Sequence, residues 1–382
     1  ARGMRALAAA ALAASGPLGC SALSALQGLR GARSADGPLE DTFEGGYISD
    51  VGQPPSSGGD TVFVFKTYST LTPWKTHQID RYTDQLAGVG IPVAILRDAS
   101  ALRRHGETLG DGKVRKSFVM LSTGKSVPLC DVSWQAALDE WGQETFEGFT
   151  PKGGGDHNVQ PGQGVHNQYE ALWWRHCRPF GSEKYVWFVE DDAFFNGDIA
   201  GFLSRYSGED ADLISSSFRI AGAHWWNFKS FNHSISAGIK LFDTTAAGLV
   251  ENVSPLPTLN VFPCGDSSDD RRGLIFRQDV VERYSARLFG MLDKALGNRL
   301  LAPAEAFLST LCASGVGLEG GEHCSMMDWA PVTERDSGST WASPLWCWGG
   351  QLKGRQCNAG WQDKWIHPVK TTEANAMACQ AH

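Results

Sequence analysis

Tyr185-Val186-Trp187-Phe188-Val189-Glu190-Asp191-Asp192 runs five apolar residues straight into three consecutive carboxylates. An unbroken apolar run suits a strand buried on both faces of a mostly parallel sheet, where helices cover each side. Ligands of open α/β sheets bind just beyond the carboxyl ends of the strands, where these acids would stand. Three adjacent carboxylates repel one another, so the cluster needs a compensating cation. A hard divalent ion that bridges to phosphate oxygens meets that need. Alternate side chains of a strand share a face, which aligns Glu190 with Asp192 and leaves Asp191 between them. A solvated acidic turn is the plain alternative. The long apolar approach, and Ala193-Phe194-Phe195-Asn196-Gly197-Asp198 after it, weigh against that.

Outward from this strand the pattern is α/β. Residues 61–66 (TVFVFK) read as a strand, 75–86 as a helix stopped by Gly88-Val89-Gly90, and 91–96 (IPVAIL) as a second strand ending at Arg97-Asp98. A β-α-β opening implies a parallel pair with a right-handed crossover. Residues 117–121 and 211–217 read as further strands and 167–178 as a helix. A long helix is expected over 277–296, because Val281, Tyr284, Leu288 and Leu292 are spaced for one apolar face and Gly297-Asn298 ends it. Residues 148–164 form a long Gly-rich loop. From Gly315 the chain turns Gly-, Cys- and Trp-rich with little periodicity, as an irregular, disulfide-stapled region would.

A chain of 382 residues can bury a substantial core, and its net charge of −8 argues against nucleic acid as a partner. Its 14 tryptophans suit a protein that handles sugars, whose apolar faces pack on indole. Residues 1–35 carry Arg2, Arg5, Arg30, Arg33 and the apolar run 6–14 with no acid, which reads as a signal peptide or anchor, or as an organelle transit segment. Residues 36–60 look like a linker or stem. Of nine cysteines, Cys20 lies in the leader; the other eight show no C-x-x-C spacing. That excludes zinc-ribbon and thioredoxin-type readings and points to disulfides in an oxidising lumen, with buried thiols as the alternative. The Asn232-His233-Ser234 and Asn252-Val253-Ser254 sequons are compatible with a secretory route. No Gly-x-Ser-x-Gly or His-Glu-x-x-His occurs, and Val119 stands where a P-loop ending in Gly124-Lys125-Ser126 needs its first Gly.

The β-α-β start, the acid-x-acid strand end and the downstream second half resemble the GT-A fold of nucleotide-sugar glycosyltransferases. The segment YVWFVEDDAFFNGD is similar to the acid-x-acid segments of that superfamily, with Glu190 in place of the more usual first Asp. It is also similar to uncharacterised algal and protist members. The resemblance implies a Rossmann-type mixed, mostly parallel sheet flanked by helices, with residues 61–218 binding the donor and 219–382 the acceptor. It implies Mn²⁺ or Mg²⁺ held by Asp192 and Glu190, with His367 of Trp365-Ile366-His367-Pro368 as a late imidazole ligand and His323 as its rival. Asp98 would meet the nucleotide base or ribose beside Glu190 and Asp191, and Lys370 the diphosphate. Glu305, a carboxylate among apolar neighbours, is a candidate general base for the acceptor hydroxyl. Its plain reading is a first-turn Glu after Pro303, favoured by the helix dipole. Asp269 and Asp270 are weaker alternatives. His224-Trp225-Trp226 would form a sugar platform or pack in the core. The expected activity is transfer of a sugar from a nucleotide-diphosphate sugar to a glycan or glycoprotein hydroxyl in the secretory pathway. The alternatives are a secreted carbohydrate-binding protein without catalysis and a metal-dependent phosphoester hydrolase.

Overall fold

The strand at 185–190 lies inside the main sheet, paired on both sides. The computed structural model describes residues 59–68, 70–99, 114–146, 167–220, 275–298, 304–315, 318, 324–329, 346–348 and 364–367. All fall within one unit, Gly46–His382. Among the described residues, β1 (Thr61–Thr67), β2 (Val93–Asp98), β3 (Arg115–Met120), β4 (Ser126–Val132), β5 (Tyr185–Glu190), β7 (Leu213–Ile220), β8 (Ile275–Ser285) and β9 (Met326–Asp328) form one sheet. Its order is β3-β4-β2-β1-β5-β8-β7-β9. The run β4-β2-β1-β5 is parallel throughout. A second sheet joins β6 (Phe194–Asn196), β10 (Trp346–Trp348) and β11 (Lys364–His367) in the order β10-β11-β6.

Strand alternation divides the core into two clusters, one on each face. Val62, Val64, Val186 and Phe188 pack with α2 (Trp134–Trp141), α4 (Asn167–Leu172), α6 (Ala286–Gly297) and α7 (Ala304–Ser314). Phe63, Phe65, Trp187 and Val189 pack with α1 (Pro73–Ala87), α5 (Ile199–Ser204) and Trp365 of the small sheet. Helix α3 (Gln143–Phe146) is a single turn after α2. The result is a three-layer α/β fold with a mostly parallel sheet between helices.

Local signals set the helix ends. Thr72 caps α1 by accepting the Lys75 N–H, with Pro73 at the first position, and Gly90 beyond its end adopts φ +70. Helix α4 runs directly into a π-helical turn, Trp173–Cys177. Cys177 there is disulfide-bonded to Cys130 of β4, and Cys312 of α7 to Cys324. Cys264, Cys357 and Cys379 lie outside the described residues, as do residues 1–58 and both sequons. No helix among the described residues is long and apolar enough to cross a membrane.

The helix expected over 277–296 is corrected. Residues 275–285 form β8, and only from Ala286 does the chain become helical, after Ser285 caps α6 by accepting the Leu288 N–H at 3.1 Å. β8 is sandwiched between β5 and β7, so ladders on both sides outweigh the helical spacing of Val281 and Tyr284. Those two residues instead join opposite core clusters, as strand alternation requires. β4 was not anticipated from the sequence. Its ladder with β2 begins at Leu129, so Pro128 lies just outside it.

Candidate metal centre

Parallel pairing brings the carboxyl ends of β4, β2, β1 and β5 to one edge, with Asp98, Thr67 and Glu190 as last residues of their strands. Glu190 and Asp192 meet His367 there. The imidazole Nε2 stands 3.2 Å from Asp192 Oδ1 and 3.9 Å from Glu190 Oε2. All three side chains are partly exposed, and one ligand atom from each lies within 4.8 Å of the others. An octahedral ion with bonds of about 2.1 Å spaces its ligand atoms roughly 3.0–4.2 Å apart. Two carboxylates and an imidazole at these separations fit Mn²⁺ or Mg²⁺ in donor chemistry and in spacing.

His367 reaches this point through the small sheet. β11 runs antiparallel to β6 with Trp365 opposite Phe195 and Ile366 opposite Phe194. One step further along that register brings His367 opposite Ala193, the neighbour of Asp192. Trp365, wholly buried, packs its ring on Phe195 and Phe202.

Asp191 has a different environment. Its Oδ2 accepts from Thr67 Oγ1 at 2.6 Å and lies 2.5 Å from Lys75 Nζ on the first turn of α1. Alternation along β1 explains the division. Thr67 follows Phe63 and Phe65 toward α1, while Lys66 follows Val62 and Val64 to the opposite face. Lys66 Nζ there binds Glu170 Oε1 at 2.8 Å and lies 3.9 Å from Glu190 Oε1, which also accepts from Tyr68 OH at 3.1 Å. Glu170, Glu190, Asp191 and Asp192 bring four negative charges, and Lys66 and Lys75 two positive ones.

Glu170 is fully buried and extends the polar chain inward. It accepts from Asn167 Nδ2 at 2.8 Å and from Tyr284 OH at 2.9 Å. The same Tyr284 hydroxyl, with one proton to share between the two carboxylates, also faces Glu282, which pairs with Arg277, and Arg277 Nη1 donates to the Ala304 carbonyl at 2.6 Å. Burial pushes the Tyr284 phenol well above its usual value, and the neighbouring Glu170 and Glu282 charges push the same way. It therefore stays a hydroxyl donor. This chain of charges connects the strand-end cluster to the N-terminus of α7.

Of the remaining sequence candidates, Asp98 is buried and lines a small cleft, with room for about one water molecule, together with Lys66, Thr67, Tyr68, Leu96, Tyr169 and Glu170. Glu305 is the second residue of α7, and its side chain lies outside the described residues. Lys370, His323, Asp269, Asp270 and His224-Trp225-Trp226 also lie outside them. Lys66, Lys75, Tyr68, Glu170 and Arg81 were not singled out from the sequence. Two signals were present. Lys75 sits in the first turn of a helix, where the dipole disfavours a cation that has no partner. Lys66 interrupts an apolar strand at its carboxyl end.

No known family pattern matches this sequence, and no curated protein matches it. Among solved structures, one similar chain is a protein from Bacillus anthracis named as a glucose-1-phosphate thymidylyltransferase, in complex with sucrose. The identity is 10% and the TM-score 0.33, over 84% of this chain and 95% of that one. Another is the mannosyltransferase Ktr4p from S. cerevisiae, at 11% identity and TM-score 0.32, over 70% of this chain and 68% of that one. Its complex with GDP gives 9% identity and TM-score 0.31, over 72% of each chain. At these scores the likenesses assign no activity to this chain.

Proposed function

We propose that this protein is a metal-dependent glycosyltransferase that moves a sugar from a nucleotide-diphosphate donor to a hydroxyl of a glycan or glycoprotein. The observation that carries the reading is the meeting of Glu190, Asp192 and His367 at the carboxyl edge of a parallel sheet. In this reading the three residues hold Mn²⁺ or Mg²⁺. The bound ion would neutralise the diphosphate as it leaves.

The chain's own groups have separate tasks. Asp98, the last residue of β2, is proposed for the ribose or base of the donor, since it stands at the carboxyl edge of the sheet. Tyr68 and Lys66 orient Glu190 from one side. Lys75 and Thr67 hold Asp191 away from the ion and limit the repulsion within the acidic run. Glu305 is the proposed base for the acceptor hydroxyl, since Arg277 fixes the backbone of the residue before it. Lys370 is proposed for the diphosphate. Two disulfides support placement in an oxidising compartment, with secretory lumen as the proposed location and residues 1–35 as its targeting or anchoring segment.

A thermal-shift panel of nucleoside diphosphates, nucleotide-sugars and free sugars, with and without Mn²⁺, tests the reading. Nucleoside diphosphates should raise the midpoint only when the ion is present. Absence of any such shift with either Mn²⁺ or Mg²⁺ would overturn it. Stabilisation by sugars alone would favour a carbohydrate-binding protein, and phosphate release from a simple phosphoester would favour a hydrolase.

A further inference from the structure

The metal cluster joins two sheets, and its geometry depends on what holds the smaller one. Glu190 ends β5 and Asp192 lies in the turn just after it, whereas His367 arrives on β11, which pairs with β6. The position of β6 is set from its other side, by α1. The N–H of Phe195 donates to Tyr82 OH at 3.3 Å, and its carbonyl accepts from Arg81 Nη1 at 2.7 Å. Arg81 Nη2 donates to the Gly197 carbonyl at 2.5 Å, and Gln85 Oε1 accepts the Ile199 N–H at 3.0 Å. Both backbone groups of Phe195 thus face α1, away from β11, and side chains of α1 complete that edge as a neighbouring strand would. The guanidinium fork is the part that fixes position, because it spans two carbonyls two residues apart and its plane lies 5.1 Å from the centre of the Phe194 ring.

We infer that Arg81 is a positioning residue for the metal: by clamping the Phe195 and Gly197 carbonyls it fixes β6, and through β6 the distance from His367 to Asp192 and Glu190. Trp365 anchors β11 by burial, but apolar packing tolerates sliding that a two-carbonyl fork does not. The inference rests on the reading of Glu190, Asp192 and His367 as ligands, and it assigns Arg81 no contact with the ion.

The test is Mn²⁺ affinity by titration calorimetry, beside the thermal midpoint of the metal-free protein, for wild type, Arg81→Met, His367→Ala and the double variant. Arg81→Met should weaken Mn²⁺ about tenfold, the scale of lost support behind a metal ligand. The double variant should bind no more weakly than His367→Ala alone, because Arg81 acts only through the imidazole. Arg81→Lys, which can reach one carbonyl but not both, should fall between wild type and Arg81→Met. Should Arg81→Met not fold, Tyr82→Phe deletes only the hydroxyl facing the Phe195 N–H and should weaken Mn²⁺ in the same direction by a smaller factor. Wild-type affinity in these variants, or losses that multiply in the double variant, would overturn the inference while leaving the metal reading intact. Absence of Mn²⁺ binding by wild type would bring down both.

Discussion

Three adjacent acids meet different partners because Glu190 ends β5 while Asp191 and Asp192 lie in the turn that follows it. Glu190 meets Lys66 and Tyr68, Asp191 meets Thr67 and Lys75, and Asp192 meets His367. Asp192→Asn should therefore abolish the thermal shift given by Mn²⁺. That shift corresponds to about 2.7 kcal/mol at a hundredfold excess over Kd. The metal-free midpoint should stay level or rise slightly, since one of two facing like charges is removed. A collapse of the metal-free midpoint would mark Asp192 as structural instead. The acidic run and the late His-Pro were legible in the sequence, because residue type and strand periodicity are local properties. Lys66, Lys75 and Glu170 were not, because each gains its meaning from a partner far along the chain.

Elements here are joined by buried charge as well as by apolar packing. Lys66 of β1 and Glu170 of α4 are both buried, and losing Lys66 leaves the Glu170 charge with the neutral groups of Asn167 and Tyr284 but without its bonded cation. Lys66→Met should cost about 3–5 kcal/mol in urea unfolding, and Lys66→Met/Glu170→Leu should recover most of it. At the other end of the sheet, Asp212 ties the start of β7 to α6 and to the residue before β9. Burial alone would push the Asp212 carboxyl up. Hydrogen bonds from Arg287, the Ser325 N–H and Ser285, with the Arg287 charge, outweigh it and hold the carboxyl below its ordinary 3.8. A group depressed in this way adds stability above its unfolded value and loses it as pH falls through the folded value. Asp212→Asn should thus destabilise the protein at neutral pH, and the difference should shrink as acid-unfolding curves are taken below the ordinary carboxylate value of 3.8. The same scale shows where sequence reading stops. β1, α1, β2 and β5 follow from periodicity and end signals. β8 does not, because its helical spacing is overridden by ladders on both sides, and β4 is disguised by Pro128.

For the molecule as a whole, the two disulfides among the described residues brace one face of the sheet. Cys130–Cys177 joins β4 to the π-helical turn after α4, across 47 residues of sequence. Closing a loop of that length is worth roughly 4 kcal/mol in the chain-entropy view. Cys130→Ala/Cys177→Ala should lower the unfolding free energy by roughly 2–4 kcal/mol and leave Mn²⁺ affinity unchanged, because the bridge lies on the face away from β11. A loss of metal affinity in that variant would show that the bridge also supports the site. The eight cysteines beyond residue 35 announced such bridges, but the pairing depends on which strands become neighbours. The small sheet adds a matter of timing. Chains emerge from synthesis N-terminus first, so Glu190 and Asp192 exist long before the residue that completes their cluster. Until β11 docks on β6, a nascent chain offers a divalent ion two oxygens and no nitrogen. On the proposed metal reading, tight occupancy by the ion would serve as a signal that the last described strand has found its place.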